Sequence, residues 1–195
     1  MTESDSVLWE EFRNGHWSAF EALLAAHYRP LYQYGRKFTD DDLVKDIIHD
    51  LFLHLWDRRA TLPEIENTRA YLFKSLRNRI FKNQKAAFLV FAEHTFREAD
   101  VSDYNTIEQK IITTETTSES LQKVNQIISS LTRRQQEIIH LKFYQNLSND
   151  QIATVMEISP PAVSNLLYQT LKLFKDKWTL MWFIIATSNY YLSNS

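Results

Sequence analysis

Two glycines and four prolines are all the backbone punctuation that 195 residues carry. Between them apolar residues recur at three- and four-residue spacing, and the alternating pattern of strands is scarce, so the chain is expected to be all-α. Hydrophobic residues at 44% and aromatics at 13% are enough for packed cores. The absence of cysteine excludes disulfides and thiolate metal sites and fits a reducing compartment. The start, MTESDSVLWEEF, is acidic and lacks the basic stretch and apolar run of a secretory signal. The apolar run from Leu180 to Ala186 falls far short of the roughly 20 residues that span a bilayer. A cytoplasmic protein with no direct membrane insertion is expected.

The net charge of −2 conceals an alternation. Residues 1–57 are acidic, 58–85 basic, 86–120 acidic and 121–178 basic, and such local patches govern contact with polyanions more than the total does. Within the second acidic stretch, TTETTSES (Thr113 to Ser120) is β-branched, polar and low in complexity, which reads as a linker. The expected organisation is two small helical domains, 1–90 and 121–178, joined by a flexible acidic linker over 91–120, with an apolar extension at 179–195.

The stretch LSNDQIATVMEISPPAVSNLLYQTLKLFK, from Leu147, sets two adjacent prolines in a helical pattern. Proline costs roughly 3 kcal/mol inside a helix but is tolerated in the first turn, whose N–H groups have no helical partner. Ser148 with Gln151 has the spacing of a capping box, as does Thr132 with Gln135, and Ser159 can cap a helix that begins at Pro160. Three consecutive helices result, the last two joined by a tight turn, which is the layout of a helix-turn-helix domain. On the last helix Val163, Leu166, Leu167, Thr170, Leu171, Leu173 and Phe174 share one broad side. Ser164, Asn165, Tyr168, Gln169 and Lys172 share the other, a set able to read adenine edges and contact phosphates.

A second basic helix is expected in NTRAYLFKSLRNRIFKNQK, with Leu72, Phe73, Leu76 and Ile80 as its core stripe. Arg69, Tyr71, Lys74, Arg77, Asn78 and Lys82 lie opposite or beside it; such basic residues approach phosphates and such aromatics stack on unpaired bases. Before it, DDLVKDIIHDLFLHLWDRR is apolar over more than half its circumference, which implies deep burial or two partners. Its polar remainder, Asp46, Asp50, His54 and Asp57, has the spacing of a metal-ligand row but no matching ligand set on another helix. It reads as a solvated face or a charged contact. No nucleophile–base pair or phosphate-cradling glycine loop is present, so neither catalytic residues nor cofactors or metals are expected.

Taken in order, these segments resemble the extracytoplasmic-function sigma factors of bacterial RNA polymerase. NGHWSAFEALLAAHYRPLYQYGRKF resembles that family's opening helix and DDLVKDIIHDLFLHLWDRR its polymerase-binding helix. IENTRAYLFKSLRNRIFKNQK resembles the helix that recognises and melts the minus-ten element. ISSLTRRQQEIIHLKFYQNLSNDQIATVMEISPPAVSNLLYQTLKLFK resembles the domain that reads the minus-thirty-five element. The resemblance implies a dissociable, non-enzymatic promoter-specificity subunit. Asp46, Ile47, Asp50, Leu51, Phe52 and Trp56 would dock on the polymerase clamp, and residues near Leu131, Gln135 and Ile139 on the flap. The loop from Ala60 to Thr68 would hold a flipped base, and Arg69, Tyr71, Lys74, Arg77, Asn78 and Lys82 would engage the opened strand. Ser164, Asn165, Tyr168, Gln169 and Lys172 would enter the major groove. An anti-sigma factor, often membrane-bound in the family, is an implied partner besides core polymerase and promoter DNA. The alternative is a conventional helix-turn-helix regulator that binds duplex DNA without polymerase.

The chain departs from the family pattern in three places. Asn146 and Glu157 stand where glycine is usual, and left-handed backbone costs glutamate roughly 1 kcal/mol or more. Pro161 and Ala162 replace the usual start of the recognition helix, so base preference does not transfer. WTLMWFIIATSNYYLSNS runs past the family's usual end, as a helix or tail packed on the second domain or as a partner-binding segment.

Overall fold

The computed structural model describes the backbone of residues 3–94, 124 and 126–193, with side chains at 5–84, 124 and 126–178. All regular structure among the described residues is helical. Most of the expected linker lies outside them; its first residues, 91–94, continue a helix.

Helix α1 (Glu3–Arg13) forms because Leu8, Trp9 and Phe12 line one face. Trp9 and Phe12 are buried with ring centroids 5.4 Å apart, and the Trp9 indole N–H donates to the Pro63 carbonyl at 3.2 Å. Gly15, at φ +87°, makes the left-handed turn into α2 (Trp17–Gly35). Asp40 caps α3 (Asp41–Asp57), its carboxylate accepting from the Leu43 N–H at 2.8 Å, and Asp41 and Asp42 add negative charge at the positive end of the helix dipole. After a 3₁₀ turn at Arg59–Thr61, Asn67 accepts from the Ala70 N–H at 2.7 Å and starts α4 (Thr68–His94). The four helices enclose Tyr34, Val44, Ile48, Leu51, Leu72, Phe73, Leu76 and Ile80, all essentially without exposure.

Gly35 is required by a close approach. A Cβ at this position would collide with Val44 Cγ2 on α3. Gly35→Ala is expected to destabilise the fold by about 1–3 kcal/mol, as overpacking does. Urea denaturation should show a lower midpoint at unchanged slope.

The second bundle is built on the predicted caps. After a helical stretch at 126–129, Thr132 and Gln135 form a reciprocal capping box for α5 (Arg133–Ile139). The helix continues to Tyr144 through a π-helical turn at His140–Tyr144, and Phe143 and Tyr144 are exposed there. Ser148 and Gln151 form the second box and open α6 (Asn149–Met156). Asn146 and Glu157 adopt left-handed backbone at φ 51° and 55°, where the family pattern calls for glycine. Ser159 accepts from the Ala162 N–H at 3.4 Å, and α7 runs from Pro160 to Ser193 with both prolines in its first turn. The C-terminal extension therefore continues the last helix without a break as far as Ser193. Ile138, Leu141, Ile152, Val155 and Val163 form the core of this bundle, and α6 packs against both α7 and α4.

Candidate functional site

Three surfaces carry the residues singled out from the sequence. On α3, Asp46, Asp50, His54 and Asp57 form an exposed row. Ile47, Leu51 and Phe52 instead point inward, at 4%, 1% and 4% exposure. The broad apolar arc of this helix is absorbed by α2 and α4, with Phe12 of α1 packing on Trp56. What remains outside is Leu43 and Leu53, at 37% and 47% exposure, and the half-buried Trp56. Trp56 meets Trp17 edge-on at 5.0 Å, and the Arg59 guanidinium sits 4.4 Å from its ring centroid.

The loop before α4 is anchored by buried Leu62, by the Pro63 carbonyl on Trp9, and by Thr68, whose hydroxyl donates to the Asp5 carbonyl at 3.4 Å. Along α4 the six predicted strand-binding residues do not share one environment. Tyr71 packs edge-on against Trp9 at 5.3 Å, and Lys82 is exposed. The other four bond to the second bundle. Arg69 donates to Gln145 Oε1 at 2.6 Å, and Arg77 Nε donates to Glu137 Oε1 at 2.8 Å. Lys74 pairs with Glu157 at 3.4 Å, and Asn78 donates to the same carboxylate at 3.4 Å. Tyr34, fully buried on α2, donates its phenol to Glu137 Oε1 at 2.6 Å. Burial, then the Glu137 charge, raises the Tyr34 pKa well above its ordinary value, keeping it a donor.

His140 sits in the same seam, its ring centroid 5.9 Å from that of Tyr34 and stacked on Tyr144. Because Gln145 uses its oxygen to accept from Arg69, its amide N–H₂ faces His140 Nε2 at 2.9 Å. Nε2 therefore accepts, which places the ring proton on Nδ1, a buried atom without a partner. Burial first, then Lys37 and Arg69, push the His140 pKa from 6.5 down to about 3. The sign follows directly. Below pH 6.5 the unfolded chain binds a proton that the folded one refuses, so stability is lost as pH falls from 6.5 towards 3. The limiting slope is about 1.4 kcal/mol per pH unit. His140→Gln is expected to flatten this acid limb in denaturant titrations across the same window. His27, also lowered by burial, leaves a residual slope.

On α7 the structure brings Ser164, Asn165, Tyr168, Gln169 and Lys172 to one exposed face, Tyr168 at 68% exposure. Asn149 on α6 donates to Ser164 Oγ at 3.2 Å, and Gln169 donates to Asn165 Oδ1 at 3.3 Å, which orients two of these side chains. Val163, Leu167 and Thr170 face the core, where the Thr170 hydroxyl is satisfied by the Leu166 carbonyl at 2.7 Å. Among the described residues no cluster of histidine and carboxylates could hold a metal, and no helix is long and apolar enough to cross a membrane.

Residues 121–174 match the family described as sigma-70, region 4. Among solved structures the chain resembles CnrH in its complex with the cytosolic domain of CnrY. That likeness has a TM-score of 0.63 and 20% identity, and covers 91% of this chain and 99% of the other. It also resembles the sigma factor RpoE bound to the anti-sigma factor NepR from Bartonella quintana. Here the TM-score is 0.57 at 16% identity, with 82% and 96% covered. No curated protein matches the sequence. The second bundle is thus similar to sigma-70 region 4, and the described residues have the fold of these two structures.

Proposed function

We infer that the chain is an extracytoplasmic-function sigma factor, a dissociable subunit that gives bacterial RNA polymerase its promoter specificity. One observation carries the reading. The segment matching sigma-70 region 4 presents five polar side chains on one exposed face of its last helix, behind a capped helix and a tight turn. Such a helix fits the major groove, where Asn165 and Gln169 are suited to adenine, Lys172 to phosphate or guanine, and Ser164 and Tyr168 to either backbone or base edges. In this reading the acidic row of α3 with Leu53 docks on the polymerase clamp, and the basic face of α4 takes the opened minus-ten strand. The polymerase supplies the chemistry, so the chain needs no catalytic group. The two structural neighbours are each seen with a second protein, in one case an anti-sigma factor. An anti-sigma factor is accordingly a proposed partner here, and the cytoplasm the proposed compartment.

The test is titration of the purified chain against bacterial core RNA polymerase, followed by run-off transcription from selected promoters. Saturable binding with new start-site selection is the expected result. Tight duplex binding without polymerase, and no effect on start sites, would replace the reading with that of a conventional helix-turn-helix regulator.

A further inference from the structure

The basic face of α4 is already occupied. Arg69, Lys74, Arg77 and Asn78 are four of the six residues suited to an unpaired strand, and each bonds to a residue of the second bundle. The acceptors are two carboxylates and an amide oxygen. They satisfy the same N–H groups that phosphates and bases would satisfy, so a strand and the second bundle compete for one set of donors. Glu137 is the centre of this contact: it is 2% exposed, and one of its oxygens accepts from both Tyr34 and Arg77. Glu157 provides a second point. It holds a left-handed turn that costs glutamate about 1 kcal/mol, yet its carboxylate reaches Lys74 and Asn78.

We propose that the two bundles latch onto each other through Glu137 and Glu157 in the free chain, closing the strand-binding face of α4 without any partner. The contact joins these ion pairs and hydrogen bonds to apolar packing that the two bundles share. Beside it lies an open cleft of about 450 Å³ lined by Phe38, Phe81, Met156 and Ile158. Relative motion is the ordinary expectation between two bundles of one chain, and the polar part of their contact is what a strand can replace. That closure represses strand binding rests on the sigma-factor reading; that the bundles close does not.

The experiment uses the full chain, whose lack of native cysteine allows two specific dyes at Ala25→Cys and Asp150→Cys, both exposed. Energy transfer between them is compared for the parent, Glu137→Gln and Glu157→Gly. High transfer in the parent and reduced transfer in both variants is expected. Glu157→Gly should keep full helicity by circular dichroism, since glycine suits the left-handed turn, so its opening cannot be ascribed to misfolding. A fluorescent single-stranded oligodeoxynucleotide should then bind severalfold more tightly to the opened variants. Low transfer in the parent, or variants as closed as the parent, overturns the latch. Opened variants with unchanged strand affinity overturn the occlusion. If neither parent nor variants bind core polymerase in a parallel titration, the sigma-factor reading falls, while the transfer measurement still decides the latch.

Discussion

Leu51→Asp is expected to unfold the first bundle, whereas Leu53→Asp, two positions along the same helix, should leave it folded and remove polymerase binding. Leu51 is 1% exposed, in contact with the common core of the four helices, and Leu53 is 47% exposed beside the acidic row. A carboxylate at the first site either ionises without a partner or folds protonated with unmade hydrogen bonds. Together with the missing leucine packing this costs upwards of about 4 kcal/mol, a large part of the stability of a small domain. At the second site the added charge faces water, and its stability effect is about 0.5 kcal/mol or less. Thermal melts and a polymerase titration separate the two effects. A folded Leu53→Asp variant that binds polymerase like the parent would remove α3 from the docking surface.

Asn165→Ala is expected to shift minus-thirty-five preference by about 1–3 kcal/mol at one base pair, the value of a good bidentate base contact. That is roughly a 5- to 150-fold change in relative promoter use. Polymerase affinity should not move, because Asn165 is exposed on the opposite side of α7 from the core. Lys172→Ala makes the contrasting case. Removing an ammonium group that faces a phosphate should weaken all promoters alike and reduce the salt dependence by about one ion. Promoter libraries transcribed with each variant distinguish the two patterns. An Asn165→Ala profile identical to the parent's would show that this face does not read bases.

The second bundle was legible in the sequence because its signals are local. Thr132, Ser148 and Ser159 announce helix starts through bonds spanning three residues, and all three form. At Glu157 the resemblance pointed to a position where glycine is usual, and the backbone there is left-handed at φ 55°. Helix α1 was missed, although Leu8, Trp9 and Phe12 carry the spacing of a buried face. The π-helical turn at His140–Tyr144 has no spacing signature at all. On α3 the pattern demanded either deep burial or two partners; α2 and α4 of the same chain cover it, so Ile47, Leu51 and Phe52 are interior. Periodicity says that a face must be covered and is silent about what covers it. The contacts of Glu137 with Tyr34 and Arg77 span 103 and 60 residues, a separation at which no local rule operates.

Helix α7 runs unbroken over 34 residues, Pro160–Ser193. At 1.5 Å per residue it extends about 50 Å, with its far end about 30 Å beyond Lys172. Such a rod transmits rotation: whatever grips its distal turns steers the exposed face from Ser164 to Lys172 as a handle steers a blade. One residue inserted between the two ends would turn the handle by about 100° relative to the blade without altering either. Under the proposed function, helical phase, rather than contact at the groove, then becomes a means of setting how the second bundle meets a promoter.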